Sequence, residues 1–259
     1  MKASDVKGVY KPTKAEAARV TRKKGFFTLS GDGVFHTIQG EGNRIGRPIT
    51  FVRLHFCNLA CSWCDTPYAW CKEMKEFWTE PTQLAVGDLY SAIIAAQVEK
   101  GVTTAVERVC FTGGEPLIHQ HEIIQFMKEN PEFEVEIETN GTILPEKFLL
   151  DQAYFNCSPK LTCSGNKDLR TYNEDAIEAI SQSEEPCFKF VCQTAEDIHE
   201  VLKNYSSIPR EQIYIMPEGV TKEENTAVYE KIAATIISEG LCSTPRLQNI
   251  MFDGAKRRV

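Results

Sequence analysis

The chain has 259 residues, a formal net charge of −7, and hydrophobic residues at 42% of its positions. This length is sufficient to bury a large core, and the composition is that of an ordinary globular protein. The negative charge argues against an extended nucleic-acid surface. No apolar stretch is long enough to span a membrane, and the basic N-terminus lacks the hydrophobic run of a signal peptide.

The cysteine content favours a reducing compartment. Ten cysteines could form a disulfide scaffold in a secreted protein. Because no secretory signal is visible, we expect a cytoplasmic protein in which a few thiols bind metal and the others are buried and free. The thiols expected to be buried and free are Cys71, Cys110, Cys157, Cys163, Cys187, Cys192 and Cys242. Their spacing does not indicate a second metal cluster.

The order of predicted elements favours an α/β fold. Residues 1–25 are basic and lack apolar periodicity, so we expect a loosely ordered tail before one domain over 26–259. Apolar runs predict strands at 49–54, 108–111, 134–138, 154–157, 187–191 and 212–216, with a last one over 246–252. Helical patterns lie at 87–100, 119–129, 173–183, 195–204 and 222–239. This alternation predicts a parallel sheet, either open or closed into a full or partial barrel.

One helix start has a specific signature. Thr221 precedes the pattern at 222–239, and Glu224 follows three residues later, which is typical of a capping box.

Polar or glycine-bearing turns follow five of the predicted strands. They lie at 57–64, 112–116, 139–141, 158–160 and 217–219. In parallel α/β folds, ligands bind at the carboxyl ends of the strands. The sequence therefore predicts that these turns contribute to one functional site.

The first of these turns carries a cysteine triplet with C-x₃-C-x₂-C spacing, formed by Cys57, Cys61 and Cys64. Three thiolates can hold three irons of a 4Fe–4S cube and leave the fourth iron open to a small molecule. A structural zinc site that recruits a distant fourth ligand, such as Cys71, is the alternative.

The second turn contains Gly113, Gly114 and Glu115. The glycines can expose backbone groups to an amino-acid-like ligand, and Glu115 can pair with an ammonium group. By itself this turn is a weak signal, and a simple tight turn is the alternative.

The triplet, with Trp63 inside its loop, and the Gly-Gly-Glu turn together resemble the radical S-adenosylmethionine superfamily. The resemblance implies a partial (β/α)₆-type barrel, a 4Fe–4S cluster on the three cysteines, and S-adenosylmethionine chelated to the open iron. The cofactor-binding residues that it implies are Trp63, Cys64, Asp65, Gly113, Gly114, Glu115, Ser158, Pro159, Lys160, Met216, Pro217, Glu218 and Gly219.

A narrower match lies in Gln39-Gly40-Glu41-Gly42, in Gly46-x-Pro48 and in Cys64-Asp65-Thr66. These motifs resemble the 7-carboxy-7-deazaguanine synthase family, and the similarity runs from about residue 32 to the end. The family converts 6-carboxy-5,6,7,8-tetrahydropterin to 7-carboxy-7-deazaguanine with loss of ammonia, on the way to queuosine-type nucleosides. Its barrel is a reduced variant, usually paired as a homodimer, and a flavodoxin-like protein is the expected electron donor.

The family resemblance also implies substrate and magnesium ligands. The implied substrate-binding residues are Ile38, Gln39, Gly40, Glu41, Arg53 and Thr112, and Thr66 would ligate Mg²⁺. The radical forms on the cofactor, so no catalytic acid–base pair is expected. Glu41 as a helix-end cap, Arg53 as a donor to a buried carbonyl, and Thr66 as a turn hydroxyl remain alternatives. The C-terminal tail, 254–259, is expected to close the substrate pocket.

Two rival functions share some of these features. An activating subunit that makes a glycyl radical on a partner protein would use the cysteine loop and the Gly-Gly-Glu turn. It would have no use for Gln39-Gly40-Glu41. A zinc-stabilised binding module would be colourless and free of iron.

Overall fold

The structure is a computed structural model that describes residues 9–166 and 171–252. The described residues form two compact units. The first comprises 9–37 and 48–138, and the second comprises 38–47 and the described residues from 139 onward. The prediction of a single domain over 26–259 stays a prediction, and the C-terminal tail predicted to close a pocket lies outside the described residues.

The first unit consists of a β-sheet and α-helices. Its elements are α1 (Lys14–Arg19), β1 (Phe26–Ile38), β2 (Pro48–Leu54), α2 (Lys75–Thr79), β3 (Thr82–Ala85), α3 (Leu89–Glu99), β4 (Arg108–Gly113), α4 (Gln120–Glu129) and β5 (Glu134–Thr139). The strand order is β3-β1-β2-β4-β5. Strands β2, β4 and β5 are parallel, and β3 runs antiparallel to β1.

The second unit repeats the strand–helix alternation. Its elements are α5 (Lys147–Gln152), β6 (Ala153–Cys157), α6 (Glu174–Ser181), β7 (Cys187–Cys192), α7 (Ala195–Asn204), β8 (Ile213–Pro217), α8 (Lys222–Glu239), β9 (Cys242–Ser243) and α9 (Leu247–Met251). The strand order is β6-β7-β8-β9, and all three pairings are parallel. Each pairing is bridged by a helix, as parallel strands require. The prediction of an α/β fold with a mainly parallel sheet is confirmed, and the sheet is open.

Aromatic packing forms the core of the first unit. Phe27, Phe111 and Phe126 are all fully buried. The Phe111 ring centroid lies 5.6 Å from that of Phe27 and 5.8 Å from that of Phe126. Because β4 is buried along most of its length, elements must cover both faces of the sheet.

The predicted strands and helices are confirmed to within a few residues, with specific exceptions. The strand expected at 246–252 is wrong, because 247–251 form α9. A short apolar run does not distinguish strand from helix. Tertiary contacts stabilise the helix here, because Asn249 is buried and its Nδ2 donates to Asn225 Oδ1 at 2.7 Å. The sequence did not reveal β1, β3 or β9, and the glycines of β1 resembled a turn.

The predicted capping box of α8 forms only in part. Thr221 Oγ1 accepts the Glu224 N–H at 3.1 Å, but the Glu224 carboxylate accepts the N–H of Val220 at 2.7 Å. The reciprocal arrangement occurs at α7, where the Asp197 carboxylate accepts the Thr194 N–H at 3.0 Å.

The predicted basic tail contains a helix in its described part. Helix α1 begins after Thr13, which forms a capping box with Glu16. The Tyr10 N–H donates to Glu73 O at 3.0 Å. No helix among residues 9–166 and 171–252 is both long enough and apolar enough to cross a membrane.

Replacing Phe111 with alanine should lower the free energy of unfolding by about 3–5 kcal/mol, because the cavity lies within close aromatic packing. Urea denaturation followed by circular dichroism measures this change. Phe26→Ala is the matched control, since Phe26 is 38% exposed. Equal losses for the two variants would contradict this account of the core.

Candidate functional site

The cysteine loop begins where β2 ends. The Phe56 N–H donates to Ala69 O at 2.8 Å, so this bond ties together the two ends of the loop that carries the triplet. Phe56 has a φ of 76°, which non-glycine residues rarely adopt. Its ring centroid lies 6.2 Å from that of His119 and 6.4 Å from that of Phe77. This packing stabilises the strained backbone at the loop entrance.

The three thiols of the loop lie in a largely buried environment. Cys61 is buried, Cys57 and Cys64 are partly buried, and all three are free of disulfides. Burial raises the pKa of Cys57 to about 12, and the nearby Glu115, Cys64 and Cys61 add to the increase. Burial raises the pKa of Cys64 as well, so Cys57 and Cys64 hold their protons until a metal cation displaces them. The effect of Glu115 on the pKa of Cys57 also shows that the triplet and Glu115 lie close together.

The number of thiols on the loop suits the predicted cluster. Three thiols on one short loop provide three ligands, as a 4Fe–4S cluster with one open iron needs. Elsewhere in the first unit, the ligand atoms of Cys110, Glu136 and Glu138 all lie within 4.8 Å of one another.

Cys71 does not behave as the fourth ligand that the zinc alternative requires. Its thiol donates to Glu73 Oε2 at 3.2 Å. It also packs with Tyr68 and Met74 in a small apolar cluster. The zinc alternative, as formulated with Cys71, is not supported by these contacts.

Most of the other cysteines are buried free thiols, as predicted. The buried ones are Cys71, Cys110, Cys157, Cys187 and Cys192. For Cys163 and Cys242 the predicted burial is wrong, because both are partly exposed. The thiol of Cys163 donates to Val191 O at 3.7 Å, and that of Cys242 donates to Glu211 O at 3.8 Å.

The Gly-Gly-Glu turn packs directly on the loop entrance. The Gly114 N–H donates to Leu54 O at 3.0 Å, and the Glu115 N–H donates to Phe56 O at 2.7 Å. A Cβ at Gly114 would lie 1.7 Å from Phe56 O, and Gly113 has a φ of 117°. Only glycine allows the end of β4 to approach the backbone this closely.

Glu115 is fully buried, and its carboxylate has a structural partner. Oε1 accepts the Leu117 N–H at 3.0 Å and so caps the short turn that follows β4. A carboxylate at this position, close to the cysteine triplet, is chemically able to accept hydrogen bonds from an ammonium ligand.

Arg53 and Thr112 occupy one face of adjacent strands. They are register partners across β2 and β4, so both side chains extend from the same side of the sheet. Thr112 Oγ1 donates to Glu138 Oε2 at 2.6 Å, and the Arg53 guanidinium lies 5.4 Å from the Phe35 ring centroid. The stretch Glu138-Thr139-Asn140-Gly141 resembles the family, but the sequence prediction gave Glu138 no role in the site. The signal for it was present, because Glu134, Glu136 and Glu138 alternate along β5.

The end of the cysteine loop places the predicted magnesium ligand beside the last cysteine. Thr66 Oγ1 lies 3.6 Å from Cys64 Sγ, and the Thr66 carbonyl accepts the Ala69 N–H at 3.0 Å. Asp65 is exposed and Trp63 is partly buried.

In the second unit, the loop between β1 and β2 is closed by its own backbone. The Gln39 N–H donates to Arg47 O at 2.8 Å, and Gln39 O accepts the Gly46 N–H at the same distance. Gln39 is 1% exposed, and its Oε1 accepts the Glu41 N–H at 3.1 Å. Gln39 therefore fixes the backbone of Glu41. Ile38 is the last residue of β1.

Glu41 lies at the centre of a buried ionic network. Its Oε2 pairs with Lys189 Nζ. Its Oε1 accepts from Arg246 Nε at 3.0 Å and from Gln248 Nε2 at 2.7 Å. Burial opposes ionisation, but Lys189 and Arg246 outweigh it and hold the pKa of Glu41 well below its usual range. The helix-cap alternative for Glu41 is wrong, because Glu41 lies in a loop and its carboxylate binds these side chains.

The sequence prediction missed the three partners of Glu41. Lys189 did carry a signal, since it is a lone charge in the otherwise apolar run of β7 and charged residues are rarely buried unpaired. Arg246 and Gln248 both lie in the segment 246–252, which was predicted to be a strand. Arg246 also lies in Thr244-Pro245-Arg246-Leu247, which resembles the family, but no contact with Glu41 was predicted.

The turn after β6 is held by short hydrogen bonds. The Ser158 N–H donates to Thr139 O at 2.7 Å. Lys160 Nζ donates to Ser158 O at 2.7 Å and to Ser158 Oγ at 2.8 Å. Pro159, between them, is buried.

The turn after β8 is held by side chains that bind its carbonyls. Asn225 Nδ2 reaches the carbonyl oxygens of Pro217, Glu218 and Gly219, each at 3.3 Å. Gly219 has a φ of 140°, and its carbonyl accepts from Arg246 Nη1 at 2.6 Å. Met216, Pro217 and Gly219 are buried, and Glu218 is partly exposed.

The predicted site residues thus form two groups. The first unit contains Cys57, Cys61, Cys64, Trp63, Asp65, Thr66, Arg53, Thr112, Gly113, Gly114 and Glu115. The second contains Ile38, Gln39, Gly40, Glu41, Ser158, Pro159, Lys160, Met216, Pro217, Glu218 and Gly219.

Comparison with known proteins identifies the family. The model of the radical SAM superfamily matches residues 51–154. The 7-carboxy-7-deazaguanine synthase of Pyrobaculum aerophilum is 31% identical over 229 residues, covering 86% of this chain and 94% of the relative. That of Hyperthermus butylicus is 34% identical over 227 residues, covering 83% and 88%.

A solved structure supports the fold. The crystal structure of QueE from Escherichia coli has a TM-score of 0.61 at 22% identity, covering 86% of this chain and 94% of that one. The superfamily match implies a 4Fe–4S cluster and S-adenosylmethionine, and the cysteine loop and the Gly-Gly-Glu turn fit both. The chain belongs to the 7-carboxy-7-deazaguanine synthase family of radical S-adenosylmethionine enzymes.

Proposed function

We propose that this enzyme converts 6-carboxy-5,6,7,8-tetrahydropterin into 7-carboxy-7-deazaguanine with loss of ammonia, in queuosine-type 7-deazapurine biosynthesis. The observation that supports this substrate best is the Gln39–Glu41 loop, whose buried carboxylate is held ionised by two cations. A glycyl-radical activating subunit has no evident use for such a carboxylate. A pterin carries ring and exocyclic N–H groups that a carboxylate accepts.

The first group of residues would hold the cofactors. Cys57, Cys61 and Cys64 would bind the cluster, which supplies the one-electron reduction of S-adenosylmethionine that starts radical chemistry in this superfamily. Glu115, buried beside Cys57, would receive the ammonium group. The backbone of Gly113 and Gly114 would lie along the amino-acid part.

The substrate carboxylate and ring would have separate binding groups. The Arg53 guanidinium can donate two parallel hydrogen bonds to the substrate carboxylate. Thr112, whose hydroxyl donates to Glu138, can accept a hydrogen bond at the same oxygen. Glu41 and Gln39 would bind N–H groups of the ring.

The remaining proposals concern the metal ion and the partners. Thr66 would ligate Mg²⁺, with the substrate carboxylate as a further ligand, since Mg²⁺ prefers oxygen ligands and keeps several waters. Ser158, Pro159 and Lys160 would line the nucleoside, and residues 216–219 would approach the adenine. A flavodoxin-like electron donor, a homodimer and a cytoplasmic location complete the proposal.

Anaerobic purification and reconstitution with iron and sulfide test the proposed function. We expect a brown protein that forms a deazapurine from 6-carboxy-5,6,7,8-tetrahydropterin when reductant, Mg²⁺ and S-adenosylmethionine are added. A colourless, zinc-loaded protein would overturn the radical chemistry. Cofactor cleavage without deazapurine would overturn the substrate but not the cofactors.

Gly114→Ala should greatly reduce iron incorporation. The new Cβ would lie 1.7 Å from Phe56 O, so the loop entrance must move. Iron content and visible absorbance after reconstitution measure the loss. Gly87→Ala is the control, because nothing lies within 4 Å of a Cβ there and it should load iron like the wild type. Equal loading of the two variants would mean that this close approach does not position the cysteines.

Thr66→Ala should raise the Mg²⁺ concentration for half-maximal activity by at least about tenfold. Loss of a residue that only hydrogen-bonds to a metal ligand already lowers metal affinity by about that factor. Activity measured against Mg²⁺ concentration gives the value, and iron content checks that the cluster is intact. Thr103→Ala, at an exposed position, should leave it unchanged. An unchanged Mg²⁺ dependence in Thr66→Ala would favour the turn-hydroxyl alternative.

A further inference from the structure

Two cationic side chains contact the carboxylate of Glu41. Among the described residues, the charged groups that contact its carboxylate are Lys189 of β7 and Arg246, just before α9. The neutral groups are Gln248 of α9, which donates to Oε1, and Asn156 of β6, whose Nδ2 donates to the Glu41 carbonyl at 3.5 Å. Two cations thus bind a single carboxylate.

The contacts of Glu41 leave part of its acceptor capacity unused. An ionised carboxylate offers about four acceptor positions, two on each oxygen. Arg246 and Gln248 both bind Oε1, whereas Lys189 alone binds Oε2. The side chain of Glu41 is 12% exposed, so it is not sealed on all sides. One further donor can therefore bind at Oε2.

Both cations are themselves held in place. Lys189 is 5% exposed and extends from a strand that is buried along its whole length. Arg246 donates from Nε to Glu41 and from Nη1 to Gly219 O at 2.6 Å, so its planar guanidinium is fixed at two points. Since buried cations need an anion nearby, the geometry of the three side chains is mutually determined.

We propose that Lys189 and Arg246 are positioning residues for substrate binding, which keep Glu41 ionised and leave one acceptor position on Oε2 for an N–H group of the substrate. This inference rests on the proposed function, because it takes the pterin as the N–H donor. The two cations affect substrate binding only indirectly, by holding the Glu41 carboxylate. They take no part in the reaction itself.

The inference predicts a change in the pH dependence of substrate affinity. In the wild type, Glu41 stays charged between about pH 6 and pH 8.5, so its contribution to affinity is constant. Without Lys189, burial raises the pKa of Glu41, and the carboxyl group gains a proton as the pH falls. The affinity of Lys189→Met should then decrease towards acid pH by about 10- to 100-fold.

The test uses the reconstituted enzyme without reductant, so that binding is measured apart from turnover. Calorimetric titration with 6-carboxy-5,6,7,8-tetrahydropterin across this pH range gives the affinities. Lys189→Arg keeps the charge and should restore the flat profile, whereas Arg246→Gln should behave like Lys189→Met. Lys147→Met, which removes an exposed lysine, is the matched control and should match the wild type.

Glu41→Gln separates ionisation from simple structural damage. It should bind the substrate weakly at every pH, and adding Lys189→Met should introduce no pH dependence. A weakening in Lys189→Met that is independent of pH and is not restored by Lys189→Arg would overturn the inference. So would an unchanged affinity in Lys189→Met and Arg246→Gln.

A second measurement does not depend on the substrate. Carboxylate ¹³C NMR, with Glu41→Gln to identify the signal, reports the titration of Glu41 directly. We expect no titration near the ordinary value of about 4.3 in the wild type, and titration at higher pH in Arg246→Gln. An ordinary wild-type titration would overturn the inference. The wild type could also bind no pterin while the Glu41 signals of the wild type and of Arg246→Gln behave as expected. The proposed substrate would then be wrong, but the account of the carboxylate network would hold.

Discussion

The close contact between the end of β4 and the backbone of Phe56 determines the geometry of the cysteine loop. Two glycines remove the side chains that would separate these segments. The carbonyl of Phe56 then accepts the Glu115 N–H, and its N–H holds the far end of the loop at Ala69. The backbone of one residue, Phe56, thereby links the cysteine loop to the Gly-Gly-Glu turn. The strained φ of Phe56 is a cost of this arrangement.

Burial disfavours the charged form in both groups of site residues, but the neighbouring charges differ. Burial raises the pKa of Cys57, and the nearby Glu115, Cys64 and Cys61 raise it further. Glu41 is also poorly exposed, yet Lys189 and Arg246 keep it ionised. A metal cation that binds the first site would have to displace protons and would then compensate the charge of the thiolates. The second supplies its own countercharges and can receive a neutral donor.

The sequence was most informative where chemistry is encoded locally. The cysteine spacing and the Gly-Gly-Glu turn could be recognised because their residues are adjacent and rare in combination. The parallel strands could be predicted from apolar runs bounded by turns. The contact between Arg246 and Glu41 could not be predicted, since the two residues are 205 positions apart in sequence. Arg246 also lies in a segment that could form either strand or helix. For Lys189, burial in an apolar strand indicated a partner but not which one.

The two units are interleaved along the chain. The segment 38–47 lies in sequence between β1 and β2 of the first unit but belongs to the second. No single cut can therefore release either unit complete. A fragment that starts at residue 139 would lack Glu41, and Lys189 would then lie in a buried strand without its anion. The arrangement therefore opposes exchange of one unit by simple gene fusion.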